Sequence, residues 1–337
     1  MKIGNIETTK QVLVVAEIGN NHEGSFETAE RMIAEAAAAG ADAVKFQTID
    51  PAKLVAASEP ARREQLGRFR FDRGQFEALK KRADKESVLF LSTPFDCDCV
   101  DWLAELVPAF KIASGDNNFT ALLERVASTG KPVMMSTGMS GSESLSSSRS
   151  TLESAWRKHG ITHPGLSFLH CVVSYPTPPE EAELLAIREL ASLDGIVPGY
   201  SDHTLGIEAA ILSVGIGARI VEKHFTLDKG QTSFRDHQLS ADPADLRRMV
   251  QGIRAAEKLL GRGELSVRPC EQAAPASARR SLAATTDLAV DHVVSLSDIT
   301  WLRPGTGIPV GHESEIVGKR LTYPVAAGHL FLEEYFI

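Results

Sequence analysis

Short apolar runs alternate with longer amphipathic stretches along the first 261 residues of the 337-residue chain. Continuous apolar runs of this length are typical of parallel strands buried on both faces, and the amphipathic stretches between them are typical of helices. Eight such runs are present, at residues 12–18, 43–48, 88–93, 109–114, 132–137, 166–172, 196–201 and 219–226. Eight strand–helix pairs in about 260 residues predict an α/β fold of the (β/α)8 TIM-barrel type, with a doubly wound open sheet as the competing arrangement.

The pattern changes after Gly261. Residues 262–278 contain prolines and several alanines and predict a linker. From residue 279 to 337 the predicted strands are short and turns are frequent, and the segment 291–299 resembles the segment 328–335. Such an internal repeat, which we call the internal echo, indicates two related half-units. We therefore predict a barrel at 1–261, a linker at 262–278 and a small β-rich domain at 279–337.

Composition narrows the functional classes. The formal net charge of −8 argues against a nucleic-acid partner or an anionic membrane surface. The longest apolar run near the N-terminus is too short to cross a bilayer, and no secretory signal precedes it, so we expect a cytoplasmic protein. The four cysteines match neither a disulfide framework nor a zinc ribbon and are expected to be reduced thiols.

Polar side chains lie at or just after the C-terminal ends of all eight predicted strands. In a TIM barrel these ends carry the chemistry. A single lysine or histidine at a strand end is more often a packing or surface residue, but eight polar ends together indicate one shared site. The candidates are Glu17, Lys45, Gln47, Thr93, Lys111, Ser114, Ser136, Tyr175, Ser201, His203 and His224.

Two pairs of these residues indicate specific chemistry. His203 and His224 end neighbouring strands, and two imidazoles with oxygen ligands suit a transition metal, with simple hydrogen bonding to a substrate as the alternative. Lys45 and Lys111, together with hydroxyls and turns that open helices, suit a phosphorylated acid. A Schiff-base aldolase is the rival, because one barrel lysine can perform that chemistry without a metal.

Eight collinear motifs resemble the N-acetylneuraminate (sialic acid) synthase family. They are AEIGNNHEG at 16–24, VKFQT at 44–48, STPF at 92–95, KIASG at 111–115, STGM at 136–139, YPTP at 175–178, GYSDHT at 199–204 and VEKHFT at 221–226. Two further motifs, RRSL at 279–282 and LRPG at 302–305, resemble the C-terminal antifreeze-like (SAF, β-clip) domain of that family. The resemblance therefore covers essentially the whole chain.

The resemblance implies an enzyme that condenses phosphoenolpyruvate with an open-chain N-acyl amino sugar to give a nonulosonic acid and phosphate. It implies a divalent metal, Mn²⁺ with Mg²⁺ or Co²⁺ as alternatives, held by His203 and His224, which with Glu17 would be the catalytic residues. The implied phosphoenolpyruvate site comprises Lys45, Thr93, Lys111, Ser114 and Ser136. The implied sugar site comprises Gln47, Tyr175, Ser201, Asp236 and Arg303. Arg303 would reach into the barrel of a second subunit, which implies a domain-swapped homodimer.

Several alternatives stay open at this stage. Val173 stands where many sialic-acid-forming members of that family have asparagine, and Asp116 stands where glutamate is common, so the acceptor is either N-acetylmannosamine or a 2,4-diacetamido deoxyhexose. A phosphorylated acceptor, a spore-coat or surface-polysaccharide sugar and a non-catalytic binding protein are the other readings. The arginine cluster at 62–73 predicts a solvated loop, with attraction of an anionic substrate as the alternative.

Overall fold

The computed structural model describes residues 1–232, 234, 236–261, 263–272 and 276–337. Residues 262 and 273–275 of the predicted linker lie outside the described residues. The chain divides into two compact units, Met1–Arg262 and Gly263–Ile337. None of the helices in the described part combines the length and the hydropathy that a bilayer crossing requires.

The strands are β1 (Lys2–Ile3), β2 (Ile6–Glu7), β3 (Leu13–Gly19), β4 (Ala43–Thr48), β5 (Leu89–Pro94), β6 (Phe110–Ile112), β7 (Val133–Ser136), β8 (Leu166–Cys171), β9 (Ile196–Asp202), β10 (Ile220–His224), β11 (Ser281–Ala284) and β12 (Ile299–Leu302). The helices are α1 (Phe26–Ala39), α2 (Pro51–Leu54), α3 (Pro60–Phe69), α4 (Arg73–Lys85), α5 (Val100–Leu106), α6 (Thr120–Ser128), α7 (Ser142–Lys158), α8 (Ala186–Ala191), α9 (Glu208–Ile216), α10 (Asp236–Leu239), α11 (Pro243–Leu260), α12 (Pro269–Gln272) and α13 (Glu313–Ile316).

Strands β3 to β10 form one parallel sheet in the order β5-β4-β3-β10-β9-β8-β7-β6. The two ends of this order, β5 and β6, lie side by side, so the sheet curls into a barrel with the helices outside it. The TIM-barrel prediction is confirmed and the open sheet is excluded. All eight predicted strands are present.

An apolar plug fills the barrel interior below its mouth. It is formed by inward-facing residues of seven strands together with Ile3 of the N-terminal hairpin: Ile3, Leu13, Val15, Ala43, Leu91, Ala109, Met134, Leu169 and Ile220. Alternate strand residues face the same side. Two residues beyond the last residue of this layer, seven strands therefore carry their next inward side chain: Glu17, Lys45, Thr93, Lys111, Ser136, Cys171 and Glu222. In β9, Ser201 lies at the same level, because it pairs with Glu222. Strand pleating thus places a complete ring of polar side chains directly above an apolar floor.

Helix boundaries follow local capping signals. The side chain of Ser25 accepts a hydrogen bond from the Thr28 amide at the start of α1, and Gly40 ends this helix in the left-handed region at φ 96°. Glu183 adopts φ 44°, so the regular helix α8 begins only at Ala186.

The predicted loop at 62–73 is wrong over most of its length, since α3 covers Pro60–Phe69. Pro60 occupies the first turn, a favourable position for proline. Most of the remaining residues are good helix formers, but Leu66 alone among them is buried. A helix with one buried residue has no apolar periodicity, which explains why the pattern failed to reveal it.

The second unit has its own core and contains the antiparallel pair β11–β12. The predicted internal echo has a structural counterpart. Each of the two similar segments begins with a residue in the left-handed region, Asp291 at φ 67° in one and Gly328 at φ 77° in the other. In both segments this residue is followed by an isolated β-bridge and then by a 3₁₀ turn. Between the copies, Leu288 and Val325 exchange backbone hydrogen bonds of 2.8 and 2.9 Å.

Candidate functional site

A cavity of about 270 Å³ opens at the C-terminal ends of the barrel strands. Its lining contains every barrel residue predicted for the site: Glu17, Lys45, Gln47, Thr93, Lys111, Ser114, Ser136, Tyr175, Ser201, His203, His224 and Asp236. The structure therefore brings these twelve side chains together in one place.

Charges of opposite sign alternate across the cavity floor. Lys45 Nζ lies 2.8 Å from Glu17 Oε2 and 3.7 Å from Glu222 Oε2. Lys111 Nζ lies 3.6 Å from Glu222 Oε1. All four side chains are at most 6% exposed. In such a dry environment each charge interacts far more strongly with its neighbours than it would in water.

Burial and neighbouring charges shift the pKa values of these groups in different directions. Burial raises the pKa of Glu17 despite the adjacent Lys45. Burial lowers the pKa of Lys111, which Glu222 offsets only in part. Burial also disfavours the Lys45 ammonium, but Glu17 and Glu222 together raise its pKa above the usual value. Lys45 is therefore held firmly as a cation, and Glu17 is a carboxyl group able to exchange a proton.

Hydroxyl groups accompany the two ammonium groups. Lys45 Nζ donates to Thr93 Oγ1 at 3.0 Å, and Lys111 Nζ donates to Ser136 Oγ at 2.7 Å. Ser114 Oγ accepts the Gly138 amide at 3.1 Å. A Cβ on Gly138 would lie 2.7 Å from Ser114 Oγ, so this close approach requires glycine. Ammonium groups and hydroxyls clustered in this way suit an anion with several oxygens.

The two histidines face each other at the cavity wall, with ring centroids 5.4 Å apart. His203 Nδ1 lies 2.8 Å from the Val172 carbonyl, an arrangement that places the proton on Nδ1 and leaves Nε2 with a free lone pair. His224 Nδ1 is buried without a hydrogen-bond partner among the described residues. Burial holds the pKa of His224 well below the usual range, so this imidazole is neutral.

These features fit two imidazole ligands for a metal ion. No group of three or more histidine, cysteine or acidic side chains among the described residues is arranged to hold a metal. A metal at His203 and His224 would therefore take its remaining ligands from water or a substrate, as ions in catalytic sites do.

Amide and aromatic groups also line the cavity. Asn20 Nδ2 donates to Gln47 Oε1 at 2.9 Å, and Gln47 Nε2 donates to Glu17 Oε1 at 3.1 Å. The Tyr175 ring lies 4.2 Å from the His203 ring. Five apolar side chains also line the cavity, and we call them the apolar wall: Ile49, Leu54, Leu66, Phe95 and Phe234. Hydrogen-bonding amides beside apolar side chains suit an organic molecule that carries both hydroxyl and methyl groups.

The sequence matches the NeuB family over residues 32–265 and the SAF domain family over residues 279–334. The chain belongs to the NeuB family. The NeuB match covers most of the barrel, and the SAF match lies within the second unit.

Full-length relatives agree with this assignment. The N,N'-diacetyllegionaminic acid synthase of Legionella pneumophila is 35% identical over 96% of this chain and 94% of its own length. A pseudaminic acid synthase of Campylobacter jejuni is 32% identical over the whole of both chains. The crystal structure of the N-acetylneuraminic acid synthetase of Leptospira borgpetersenii, in complex with citrate, is 36% identical, covers 81% of this chain and 93% of its own, and superimposes with a TM-score of 0.74.

Among the charged and amide side chains of this NeuB-family cavity, Asn20 and Glu222 had no predicted role, and Arg62 had only the alternative role of attracting an anionic substrate. Glu222 lies between both lysines, and its position two residues before His224 on one strand gives both side chains the same inward direction. Strand alternation is therefore a signal that could have identified Glu222. Asn20 follows β3 and Arg62 lies on α3, so neither position has a strand period that would indicate the cavity.

Arg303 is the remaining predicted residue of the site. It lies in the SAF-domain unit directly after β12, and its side chain is exposed. Its contact with the barrel of a second subunit stays a prediction.

Proposed function

We propose that this chain is a nonulosonic acid synthase, which condenses phosphoenolpyruvate with an open-chain N-acyl amino sugar and releases phosphate. The observation that supports this most is the buried alternation of Glu17, Lys45, Glu222 and Lys111 beside two imidazoles in one cavity. Membership of the NeuB family and the names of the relatives point to the same class of reaction.

Phosphoenolpyruvate would bind at the lysine end of the cavity. Its carboxylate and phosphate oxygens would accept hydrogen bonds from the two ammonium groups and from Thr93, Ser114 and Ser136. Glu222 lies close to both ammonium groups, so the incoming anion would compete with this carboxylate for them. Charged groups that are in place before the reaction starts need little reorganisation while it proceeds.

His203 and His224 would hold a divalent ion, Mn²⁺ or alternatively Mg²⁺ or Co²⁺. When bound, such an ion supplies a Lewis acid for the acceptor carbonyl. The chain itself would orient both imidazoles, because the Val172 carbonyl fixes the ring of His203.

The bond changes follow from this placement. C3 of phosphoenolpyruvate attacks the aldehyde carbon of the acceptor, and a water molecule adds to C2. The tetrahedral intermediate then expels phosphate by breaking the bond between C2 and the bridging oxygen, which leaves a 2-keto acid. Glu17 would take the proton from the water, because burial raises the pKa of this carboxyl group and makes it a better base. The former aldehyde oxygen takes up a proton and becomes a hydroxyl group.

The acceptor would lie along the side of Gln47, Tyr175, Ser201 and Asp236. The apolar wall favours a 2,4-diacetamido deoxyhexose over N-acetylmannosamine, because a methyl group against Leu66 or Phe234 loses less hydration than a hydroxymethyl group. Arg303 of a second subunit would contact the acyl-amino group in a domain-swapped homodimer.

The test is phosphate release with phosphoenolpyruvate, Mn²⁺ and a panel of N-acylated hexosamines, both free and phosphorylated. We expect turnover with free acylated sugars and faster turnover with the diacetamido deoxyhexose. If only phosphorylated sugars were turned over, the acceptor would be a phosphorylated sugar. Absence of phosphate release and of keto acid with every sugar would refute the proposed reaction.

A further inference from the structure

A buried ion pair lies immediately beside the two histidines but outside the cavity. Lys223 Nζ and Asp202 Oδ2 are 2.9 Å apart, and both side chains are 0% exposed. Asp202 directly precedes His203 in the chain, and Lys223 directly precedes His224. The parallel register of β9 and β10 also pairs Lys223 with Asp202.

Strand alternation separates the two pairs of residues. His203 and His224 face the cavity, so their neighbours face the layer between the strands and the helices. Tyr200, which has the same parity as Asp202, belongs to the apolar core of that layer. Asp202 and Lys223 are absent from the cavity lining, so any effect on the chemistry must act through neighbouring residues that do line it, such as His203 and His224.

The ion pair is part of a closed hydrogen-bond network. Asp202 Oδ1 accepts from the backbone amide and the hydroxyl of Thr204, both at 2.8 Å, and from the Tyr200 hydroxyl at 3.1 Å. Lys223 also donates to the Thr204 carbonyl at 2.5 Å. The chain on both sides of His203 is thereby tied to the residue that precedes His224.

Stability alone does not account for this arrangement. Burying two charges carries a desolvation penalty of several kcal/mol per ion, and well-packed apolar residues often stabilise a protein as well or better. An ion pair differs from apolar packing in its directional geometry, which sets the distance and orientation of the two strand ends that carry the imidazoles.

We propose that the Asp202–Lys223 pair is a positioning device that sets the separation and orientation of His203 and His224 and thereby the affinity for the divalent ion. This inference rests on the proposed function, since it assumes the metal at these two histidines. Replacing a residue that orients a metal ligand without itself binding the metal typically weakens metal affinity by about 10- to 100-fold.

The test measures Mn²⁺ binding to the full-length protein without substrates, by calorimetry and by the paramagnetic resonance of the bound ion. The double variant D202N/K223M removes both charges together, so neither charge is left buried without its partner. We expect Mn²⁺ binding about 10- to 100-fold weaker than in the wild type, with a cooperative thermal transition retained.

A matched control is D42N, which disrupts the ion pair between Asp42 and Arg254 near the start of β4, at the other end of the barrel strands. It is expected to lower the melting temperature and leave Mn²⁺ affinity within about twofold of the wild type, because Asp42 is remote from the histidines. If D202N/K223M fails to fold, Y200F keeps the ion pair, removes one hydrogen bond to Asp202 and is expected to weaken Mn²⁺ binding by about threefold.

The outcomes separate the two proposals. Wild-type Mn²⁺ affinity in folded D202N/K223M, or in Y200F if the double variant does not fold, would overturn the positioning role and leave the proposed reaction intact. A wild-type protein that binds no Mn²⁺ would overturn the metal assignment of the proposed function, and with it this inference.

Discussion

Replacing Lys45 by methionine tests whether the buried charges act as a unit. Methionine keeps much of the length and volume of the side chain and removes the ammonium group. Lys45 lies 2.8 Å from Glu17 and 3.7 Å from Glu222, so the variant leaves two carboxylates close to each other with only Lys111 nearby. We expect a large loss of stability that a second substitution partly restores.

The distances set the size of the effect. With an effective dielectric constant of about 20, the two contacts correspond to gross Coulomb energies of about 6 and about 4 kcal/mol. K45M also avoids the free-energy penalty of burying the ammonium group, which offsets part of these energies. The variant should therefore be less stable than the wild type by about 3–5 kcal/mol. The double variant K45M/E17Q removes the nearer carboxylate as well and should be about 2 kcal/mol more stable than K45M.

The assay is urea-induced unfolding of the wild type, K45M, E17Q and K45M/E17Q near neutral pH, combined into a double-mutant cycle. Phosphate release is measured in parallel, and all three variants should lose about 10²-fold or more of turnover. Recovery of stability without recovery of activity would separate the role of Lys45 in the site from its role in folding. A coupling energy within about 0.5 kcal/mol of zero would refute the buried ion pair.

The remaining predictions concern acidity, the metal and the subunit interface. Burial lowers the pKa of His22 to about 4, and its Nδ1 accepts the Gly24 amide, so the folded state resists protonation. This contribution to stability is present above the unfolded pKa of about 6.5 and is lost as pH falls toward 4. Lowering the pH from 7 to 5 should therefore reduce the free energy of unfolding of the wild type by about 2 kcal/mol more than that of H22Q, as measured by denaturant unfolding. An equal dependence of stability on pH in the two proteins would contradict this. H224A, or chelation of the wild type by EDTA, should reduce phosphate release by about 10²-fold or more, and full release by chelated protein would count against the metal. When an R303A chain is mixed with a K111A chain, each mixed dimer should contain one intact site and show about half the activity of a wild-type dimer. An inactive mixture would argue against domain swapping.

The sequence was sufficient to predict the barrel and six of the eight residues of its polar ring, all except Cys171 and Glu222. Strand β4 was predicted with the observed bounds, because an apolar run ending in alternating Lys45 and Gln47 has both a strand period and a clear end. The site residues were predictable for the same reason, since strand ends in a barrel converge whatever their separation in the chain.

The parts that escaped prediction lack such a period. Helix α3 carries a single buried residue, and its Arg62 reaches the cavity from a segment that looked like a solvated loop. The Asp202–Lys223 pair was also missed, because a charged residue looks the same in a sequence whether it faces water or pairs with a distant residue of opposite charge. Only the three-dimensional register of β9 and β10 reveals that these charges meet.

The most direct test is a crystal structure of the protein soaked with Mn²⁺ and phosphoenolpyruvate, with anomalous data collected at the manganese edge. We predict one anomalous peak within coordination distance of both His203 and His224, and the carboxylate and phosphate of the ligand within hydrogen-bond distance of Lys45 and Lys111. A peak away from the two imidazoles, or a ligand that leaves both lysines bound only to Glu17 and Glu222, would contradict the account.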